Sequence, residues 1–261
     1  MERKLAWEDY SKEDMTKVYE FAEGYRKFIS ECKTERECVT EFVARAEKAG
    51  FLNLADAIKT GKTLRAGDRV YVNNMGKWLA MFVVGNENLE NGMNILGAHI
   101  DSPRMDIKQN PLYEDTGLAM LDTHYYGGIK KYQWVTLPLA LHGVIAKKDG
   151  TTVKVSIGDK PEDPVFGVSD LLIHLSGEQM EKNGANVIEG ENLDLLIGSI
   201  PLPSDDEKEK EQAKDAVKEN VLRILEETYG VCEEDFLSAE IEVVPAGAAR
   251  DYGFDRSMIM G

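Results

Sequence analysis

The sequence predicts an α/β fold, a mixed sheet with helices that a β-rich insertion interrupts. Three observations lead to this prediction: two amphipathic helical patterns open the chain, strand-like runs follow, and the long middle section consists mostly of short strand-like runs. A length of 261 residues suits one large domain or two smaller ones. The 43% hydrophobic content is enough for a sizeable core.

Two helices are predicted at the start of the chain. Apolar residues recur at helical spacing over 11–33, and Ser11 with Asp14 three residues later forms an N-cap pattern. Thr34 with Glu37 is a capping box that opens a second helix, which Gly50 would end.

Strands are predicted from β-branched and aromatic runs and from the turn residues between them. The first three are 68–72, 78–84 and 94–101, the last of which ends at Ser102-Pro103. Later elements are the hairpin strands 135–145 and 151–157, a short helical pattern at 170–182, a charge-rich helical pattern at 204–227 closed by Gly230, and a last strand at 240–244 like those of the first set. The predicted division is 1–105 for the first part of the α/β domain, 106–239 for the inserted β-rich domain and 240–261 for the start of the returning domain.

Charge and apolar patterning exclude several classes of function. The chain has 31 basic and 47 acidic residues, a formal charge of −16, which argues against nucleic-acid binding because phosphates require basic patches. The longest unbroken apolar run, 78–84, is far shorter than the roughly 18–20 residues that span a bilayer. The N-terminus lacks the apolar core of a signal peptide. The three cysteines, Cys32, Cys38 and Cys232, have no metal-like spacing, so we expect a cytoplasmic protein.

His99 is the most informative of the four histidines. It follows an apolar strand pattern, and ligands of α/β sheets gather just beyond the carboxyl ends of strands. Asp101 falls on the same side of that strand, where a carboxylate could orient a metal-bound imidazole. The same spacing is equally compatible with a surface histidine beside an aspartate at a strand end.

The other histidines have competing interpretations. His124 precedes Tyr125-Tyr126-Gly127-Gly128, which could approach a ligand closely or form a loop with stacked aromatic rings. His142, in an apolar run, is interpreted as a hydrogen-bonded strand residue, and the apolar surroundings of His174 favour a core position. The sequence contains no His-Glu-x-x-His, Walker, Gly-x-Gly-x-x-Gly or Gly-x-Ser-x-Gly motif.

A series of linked motifs runs along the chain: Gly-Ala-His-Ile-Asp-Ser-Pro-Arg at 97–104, Asn-Pro-Leu-Tyr-Glu at 110–114, His-Tyr-Tyr-Gly-Gly-Ile at 124–129, Val-Pro-Ala-Gly at 244–247 and Arg-Asp-Tyr-Gly-Phe-Asp-Arg-Ser at 250–257. In this order they resemble the aspartyl aminopeptidase / aminopeptidase I family of dinuclear zinc metallopeptidases. The resemblance covers nearly the whole chain. It implies a peptidase-type mixed sheet interrupted by a β-rich dimerisation domain, and large homo-oligomers built from dimers.

The resemblance also implies site residues and a chemistry. His99 would bind one of two Zn²⁺ ions, and Asp101 would orient that histidine or the metal site. His174 of the inserted domain would lie near the peptide substrate, often in a neighbouring subunit, although some family members place this histidine where Asp170 stands. The two metals activate a water and polarise the scissile carbonyl while a glutamate acts as the general base.

The sequence departs from the family pattern at its end. In the family, the bridging aspartate, the glutamate base, further carboxylate ligands and the last histidine follow the stretch that here ends at Gly261. We therefore expect this chain to lack most metal ligands and the base, and its sheet to be incomplete. Two alternatives remain: an inert fragment that acts as a folding or oligomerisation unit, and an unrelated α/β protein whose His-x-Asp is structural.

Overall fold

The computed structural model describes residues 3–203 and 214–261. The chain forms two compact units. The first unit comprises Met1–Ile100 and Ala248–Gly261, and the second unit comprises Asp101–Gly247.

The first unit contains three helices and two small sheets. Its helices are α1 (Lys12–Glu31), α2 (Glu35–Lys48) and α3 (Leu54–Lys59). Its strands are β1 (Leu52–Asn53), β2 (Arg69–Asn74), β3 (Trp78–Val83), β10 (Arg250–Tyr252) and β11 (Met258–Met260). Short 3₁₀ helices lie at Ala6–Glu8 and Leu89–Asn91.

The second unit is built on one large sheet. Its strands are β4 (Arg104–Asp115), β5 (Leu118–Tyr126), β6 (Leu139–Ala146), β7 (Thr152–Ile157), β8 (Leu195–Gly198) and β9 (Ala239–Pro245). Its helices are α4 (Gly177–Met180) and α5 (Ala216–Tyr229), with 3₁₀ helices at Lys131–Gln133, Ile173–Leu175, Gly190–Asn192 and Glu233–Ser238.

Capping boxes begin both long helices of the first unit, as the sequence predicts. The backbone N–H of Asp14 donates to Ser11 Oγ at 3.1 Å, and the Asp14 carboxylate accepts from the Ser11 N–H at 3.1 Å. Thr34 and Glu37 form the same reciprocal pair at the start of α2. Each pair satisfies N–H groups that a helix start leaves without an intrahelical acceptor, so both helix starts are set locally.

The first sheet confirms two of the three strands predicted before residue 102. Strand β1 pairs with β2 in parallel, and β2 pairs with β3 in an antiparallel hairpin in which Val70 lies opposite Phe82. Helix α2 buries Val39 and Ala46, and Tyr71 of β2 donates its hydroxyl to Glu47 at 2.7 Å. This bond joins α2 to the sheet.

The third predicted strand, 94–101, is wrong for the described residues. The chain has no regular secondary structure between Gly92 and Pro103, and Ile95 and Leu96 are 78% and 101% exposed. An apolar, β-branched run becomes a strand only where a neighbouring strand satisfies its backbone groups, and no strand within the described part of the chain pairs with it.

The second unit has a six-stranded antiparallel sheet in the order β7-β6-β9-β4-β5-β8. The predicted hairpin of β6 and β7 is confirmed. Its core contains fully buried side chains from four of these strands, Met105, Leu139, Leu195 and Val243, and from Leu193, which precedes β8. Burial of this apolar layer supplies the main stabilisation of the unit.

Two predictions for this sheet need correction. The strand predicted at 135–145 begins only at Leu139, because Thr136 has a left-handed backbone (φ 65°) and Pro138 has no N–H to donate. The strand predicted at 240–244 is present as β9, but it pairs with β4 and β6 rather than with the first set of strands. Sheet membership depends on this long-range pairing, which a local pattern does not encode.

The helical predictions at 170–182 and 204–227 are confirmed only in part. The first segment forms the 3₁₀ turn Ile173–Leu175 and the single turn α4 instead of one helix. In the second, residues 204–213 lie outside the described residues, and α5 covers the remainder up to the left-handed Gly230.

A buried ion pair lies in the second sheet. Arg104 of β4 is 7% exposed, and its Nε lies 2.9 Å from Asp106 Oδ1 and 3.0 Å from Glu242 Oε2. Glu242 of β9 is only 2% exposed. Because an uncompensated buried charge is costly, each of these side chains depends on the other for its burial.

Gly143→Ala should strongly destabilise the second unit, by about 3 kcal/mol. A Cβ at this position would lie 1.9 Å from the backbone oxygen of Glu240 on the neighbouring β9. Equilibrium urea unfolding of the variant would measure the loss. Gly177→Ala is the matched control, since a Cβ there meets nothing within 4 Å. Equal stability of both variants would contradict the close β6–β9 approach.

Glu242→Gln should lower the free energy of unfolding by about 3 kcal/mol, because it leaves the buried Arg104 guanidinium with one carboxylate fewer. Glu234→Gln removes an exposed carboxylate that pairs with Lys148, and this control should unfold like the parent chain. Thermal and urea unfolding of both variants compares the two sites. A Glu242→Gln chain as stable as its control would show that the pair contributes nothing to stability.

Candidate functional site

His99 lies in the first unit, on the irregular segment after β3. Its side chain is exposed, so at least part of the imidazole faces solvent. Asp101, two residues later, is half-buried and opens the second unit. Sequence reasoning placed both residues beyond the end of a strand, whereas the structure places them on a non-repetitive stretch that leads into β4.

Tyr126 holds the carboxylate of Asp101. The Tyr126 hydroxyl donates to Asp101 Oδ2 at 2.9 Å. Tyr126 ends strand β5 and lies directly opposite Arg104 in the β4–β5 register. The Arg104 guanidinium carbon lies 4.4 Å from the centre of the Tyr126 ring, within the range of a cation–π contact. Sequence reasoning named Tyr126 and Arg104 only as members of motifs.

A tight turn brings the chain after Tyr126 close to the segment that carries Asp101. Gly127 has φ 71°, a left-handed conformation that L side chains rarely adopt, and a Cβ here would lie 3.5 Å from the Pro103 ring. The glycine in the Tyr-Tyr-Gly-Gly motif therefore has a backbone role beside Pro103.

His142 occupies a strand, as predicted. It lies buried in β6, opposite Glu242 of β9, and its Nε2 lies 2.8 Å from Asp159 Oδ2. The other oxygen of Asp159 accepts the backbone N–H of Gly247 at 3.0 Å. Asp159 and Glu242 carry no motif signal in the sequence, since only the fold brings them to His142.

The core position predicted for His174 is wrong, because its side chain is exposed in the turn Ile173–Leu175. His174 and Asp170 both line a cavity of about 640 Å³ in the second unit. Asp170 Oδ1 accepts from its neighbouring Leu171 N–H and from Gln179 Nε2, both at 2.8 Å. The apolar residues around His174 point outward because the segment forms short surface turns rather than a core helix.

His124 lies near the end of β5, exposed and opposite Asp106 of β4. It therefore occupies a strand rather than the loop or ligand-binding turn that its motif suggested. Its position beside the ion pair of Arg104 places it on the same sheet as Tyr126.

A second polar group lies between β4, β5 and β8. The Tyr113 hydroxyl donates to Asp194 Oδ2 at 2.6 Å, and the Thr123 N–H donates to Asp194 Oδ1 at 3.3 Å. Burial raises the pKa of Asp194, which these two donors partly offset. Burial and the Asp194 carboxylate raise the pKa of the Tyr113 phenol. These bonds tie the strands together, and no motif marked them in the sequence.

The described residues fit only part of a zinc site. An exposed imidazole and a carboxylate are donors that Zn²⁺ accepts, so His99 suits the role of one ligand. However, residues 3–203 and 214–261 contain no group of three or more His, Cys, Asp or Glu side chains placed to hold a metal ion. A complete zinc site needs at least three protein ligands, so these residues alone do not form one.

Among the described residues, no helix is long and apolar enough to cross a bilayer.

All three cysteines are free thiols, with Cys38 buried and Cys232 exposed. Burial is the main reason that the pKa of Cys32 is raised to about 12, which keeps this thiol protonated.

Comparisons with known proteins match almost the whole chain. Residues 28–261 match the family described as aminopeptidase I zinc metalloprotease (M18). A Clostridium acetobutylicum protein named "Probable M18 family aminopeptidase 1" is 61% identical over 260 residues, which are 100% of this chain and 55% of that relative. The chain thus spans about half the length of the curated relatives it matches.

Solved structures match the fold as well. The crystal structure of an M18 family aminopeptidase from Thermotoga maritima has a TM-score of 0.88 and 48% identity, and the match covers 99% of this chain and 54% of that chain. The S. cerevisiae mApe1 dodecamer shares the fold at a TM-score of 0.61, with 18% identity over 92% of this chain and 51% of that chain.

The motif series, the mixed α/β architecture and these matches agree with one another. The chain belongs to the M18 family of aminopeptidase I zinc metalloproteases.

Proposed function

We propose that this chain is part of a zinc metalloaminopeptidase that removes N-terminal amino acids from peptides. The observation that carries the proposal is the family match over residues 28–261. The 61% identity to the Clostridium acetobutylicum aminopeptidase over the full length of this chain supports it.

In this proposal His99 is a ligand of one of two Zn²⁺ ions, and Asp101 orients the histidine or the metal site. Zinc, when bound, would polarise the scissile carbonyl and lower the pKa of a water nucleophile. The exposed imidazole of His99 is accessible to a metal, and the hydrogen bond from Tyr126 restrains the Asp101 carboxylate. The chemistry of an imidazole ligand with a nearby carboxylate supports both roles.

The described residues contribute only part of the site in this proposal. They contain no group of three metal-ligating side chains, and the general base and most ligands would come from elsewhere in the complete enzyme. The matched relatives are nearly twice as long as this chain, which leaves room for those residues.

The second unit is proposed to be the dimerisation domain of a homo-oligomer built from dimers. His174 would contact substrate there, with Asp170 as the alternative position for that role. The exposed Leu172, Ile173 and Leu175 around His174 are an apolar surface of the kind that proteins bury on association. The dodecameric structure with the same fold supports assembly into a large oligomer.

We also propose that the protein is cytoplasmic. Its proposed partners are peptide substrates, and no nucleic-acid or membrane partner is proposed. The free thiols of the three cysteines suit a reducing compartment. The net charge of −16 would repel phosphate backbones.

A second candidate function is a catalytically inert folding or oligomerisation unit. One observation favours it: the described residues contain no group of three or more His, Cys, Asp or Glu side chains placed to hold a metal ion. Both proposals predict no hydrolysis by this chain alone, and they differ in whether His99 binds Zn²⁺.

The purified 261-residue chain should bind Zn²⁺ weakly through His99 and should not release free amino acid from aminoacyl-4-nitroanilide substrates, because one imidazole cannot hold a dinuclear centre. Chelator competition measures zinc affinity, and absorbance measures hydrolysis. Zinc-dependent hydrolysis that His99→Ala abolishes would contradict the partial site. His124→Ala serves as the control, since this exposed histidine has no ligand role in the proposal.

The chain should self-associate at micromolar concentration through the second unit. Multi-angle light scattering should give at least a dimer mass, and replacement of Ile173 by Asp should shift the population towards monomer, because the charge would be buried at an apolar interface. Val165→Asp is a control at an exposed apolar position outside this loop. A monomeric parent chain would contradict the dimerisation role.

A further inference from the structure

We propose that Tyr113, Thr123 and Asp194 form a clamp that holds the surface loop of residues 169–192, and that ionisation of Asp194 loosens this clamp. We refer to the three residues as the Asp194 clamp. All of them lie in the second unit, so the inference depends neither on zinc nor on the proposed peptidase activity.

The loop that the clamp holds is long, and its two ends lie side by side. The N–H of Leu196, after the loop, donates to the carbonyl of Gly167, before it, at 3.0 Å. Between these ends the chain forms only 3₁₀ turns and the single turn α4. Irregular connections longer than roughly 12–15 residues are uncommon and are often functional. The loop carries His174 and lines the cavity of about 640 Å³, so contacts near its ends influence where these groups lie.

The clamp lies where the loop ends and β8 begins. The Thr123 hydroxyl donates to the Leu193 carbonyl at 2.6 Å, and both residues are buried. Asp194, the next residue, accepts the Tyr113 hydroxyl at 2.6 Å and the Thr123 N–H at 3.3 Å. The Tyr113 hydroxyl also lies 3.7 Å from Met120 Sδ, but a thioether is a weaker acceptor than a carboxylate. These hydrogen bonds join the end of the loop to both β4 and β5.

Two further contacts support the same junction. Lys108 Nζ lies 2.8 Å from Asp122 Oδ1 on β5 and 3.2 Å from Glu191 Oε2 in the loop. Gly190 approaches the Tyr125 ring so closely that a Cβ would lie 2.9 Å from Cε1. Because Glu191 is exposed, its ion pair with Lys108 is screened by solvent. We therefore expect the less exposed hydrogen bonds of the clamp to restrain the loop more strongly than this ion pair does.

The charge around the clamp is unbalanced. The charged side chains that face Asp194 and its phenol partner are Lys108 and Asp115 of β4, Asp122 of β5 and Glu191 of the loop. Burial raises the pKa of Asp194, its two hydrogen-bond donors partly offset this, and the Asp122 carboxylate raises it further. The stabilisation that Asp194 gives is therefore largest below the ordinary aspartate pKa and is lost as the pH rises through the folded-state pKa.

Hydrogen exchange of the full 261-residue chain tests the clamp, because the protection factors of backbone amides report local opening. Tyr113→Phe keeps the ring and removes the donor. It should lower the protection factors in residues 169–192 about fivefold, the loss expected for one hydrogen bond, and leave the β6–β7 hairpin unchanged. Tyr229→Phe is the matched control, at an exposed tyrosine that ends α5.

A second variant tests the role of ionisation. Asp194→Asn removes the charge but retains an acceptor for the Thr123 N–H. Between about pH 4 and about pH 7 the loop of the parent chain should lose protection relative to this variant, since only the parent gains the charge. Asp163→Asn is the control: the backbone N–H groups of Lys160 and Gly158 lower the pKa of Asp163, so this change should not affect the loop.

Each outcome decides for or against the clamp. Loop protection that Tyr113→Phe leaves unchanged overturns it, and so does an equal loss across the whole second sheet, which would indicate general destabilisation. A ratio of protection between parent and Asp194→Asn chains that stays constant with pH overturns the role of ionisation. If Tyr113→Phe fails to fold, the pH series on Asp194→Asn decides the inference. Zinc binding and hydrolysis do not enter these measurements, so the proposed function stands or fails separately.

Discussion

The burial of one guanidinium, that of Arg104, is the interaction on which the architecture around Asp101 depends. The residue lies inside a sheet whose other buried positions are mostly apolar, so its charge must be compensated within the fold. Asp106 supplies one carboxylate from the same strand, and Glu242 supplies another from β9, more than a hundred residues later. The Arg104–Glu242 ion pair therefore forms together with the pairing of β4 and β9, and it connects parts of the chain that are far apart in sequence.

This coupling explains why β9 belongs to the second unit. A register shift of one residue along β9 would turn Glu242 to the opposite face of the sheet and remove its carboxylate from Arg104. The polar group continues on β6, where His142 lies opposite Glu242 and 2.8 Å from Asp159. Asp159 also accepts the backbone N–H of Gly247, where the second unit ends. Polar contacts within the sheet thus reach both ends of the unit, Asp101 and Gly247.

The residues with proposed functions lie outside this rigid layer. His99 and Asp101 occupy an irregular segment, and His174 occupies a short surface turn. Catalytic and binding groups commonly lie on such connections because loops can vary while a scaffold holds their ends. Two contacts connect one of these irregular segments to the buried ion pair: Arg104 Nη1 donates to the Ser102 carbonyl at 3.5 Å, and the Tyr126 hydroxyl donates to Asp101 while its ring lies beside Arg104.

Local signals predicted local structure well. The capping boxes at Ser11 and Thr34 and the hairpin of β6 and β7 were predictable because each depends on residues only a few positions apart. The strand expected at 94–101 was not, since a strand exists only where partner backbone groups are available. The strand position of His142 was anticipated, but its neighbour Asp159 was not, because Asp159 lies beyond the end of β7 and only the fold brings it to β6.

The amino-acid sequence by itself determined the fold class, the helix starts, the resemblance to zinc aminopeptidases and His99 with Asp101 as the candidate site residues. Only the tertiary structure decided that β9 joins the second sheet, that His174 is exposed, that Arg104 pairs with Glu242, and that Tyr126 donates to Asp101. The physical reason is the range of the interactions. Caps and turns are satisfied within a few residues, whereas burial of a charge requires partners that only the complete sheet brings together.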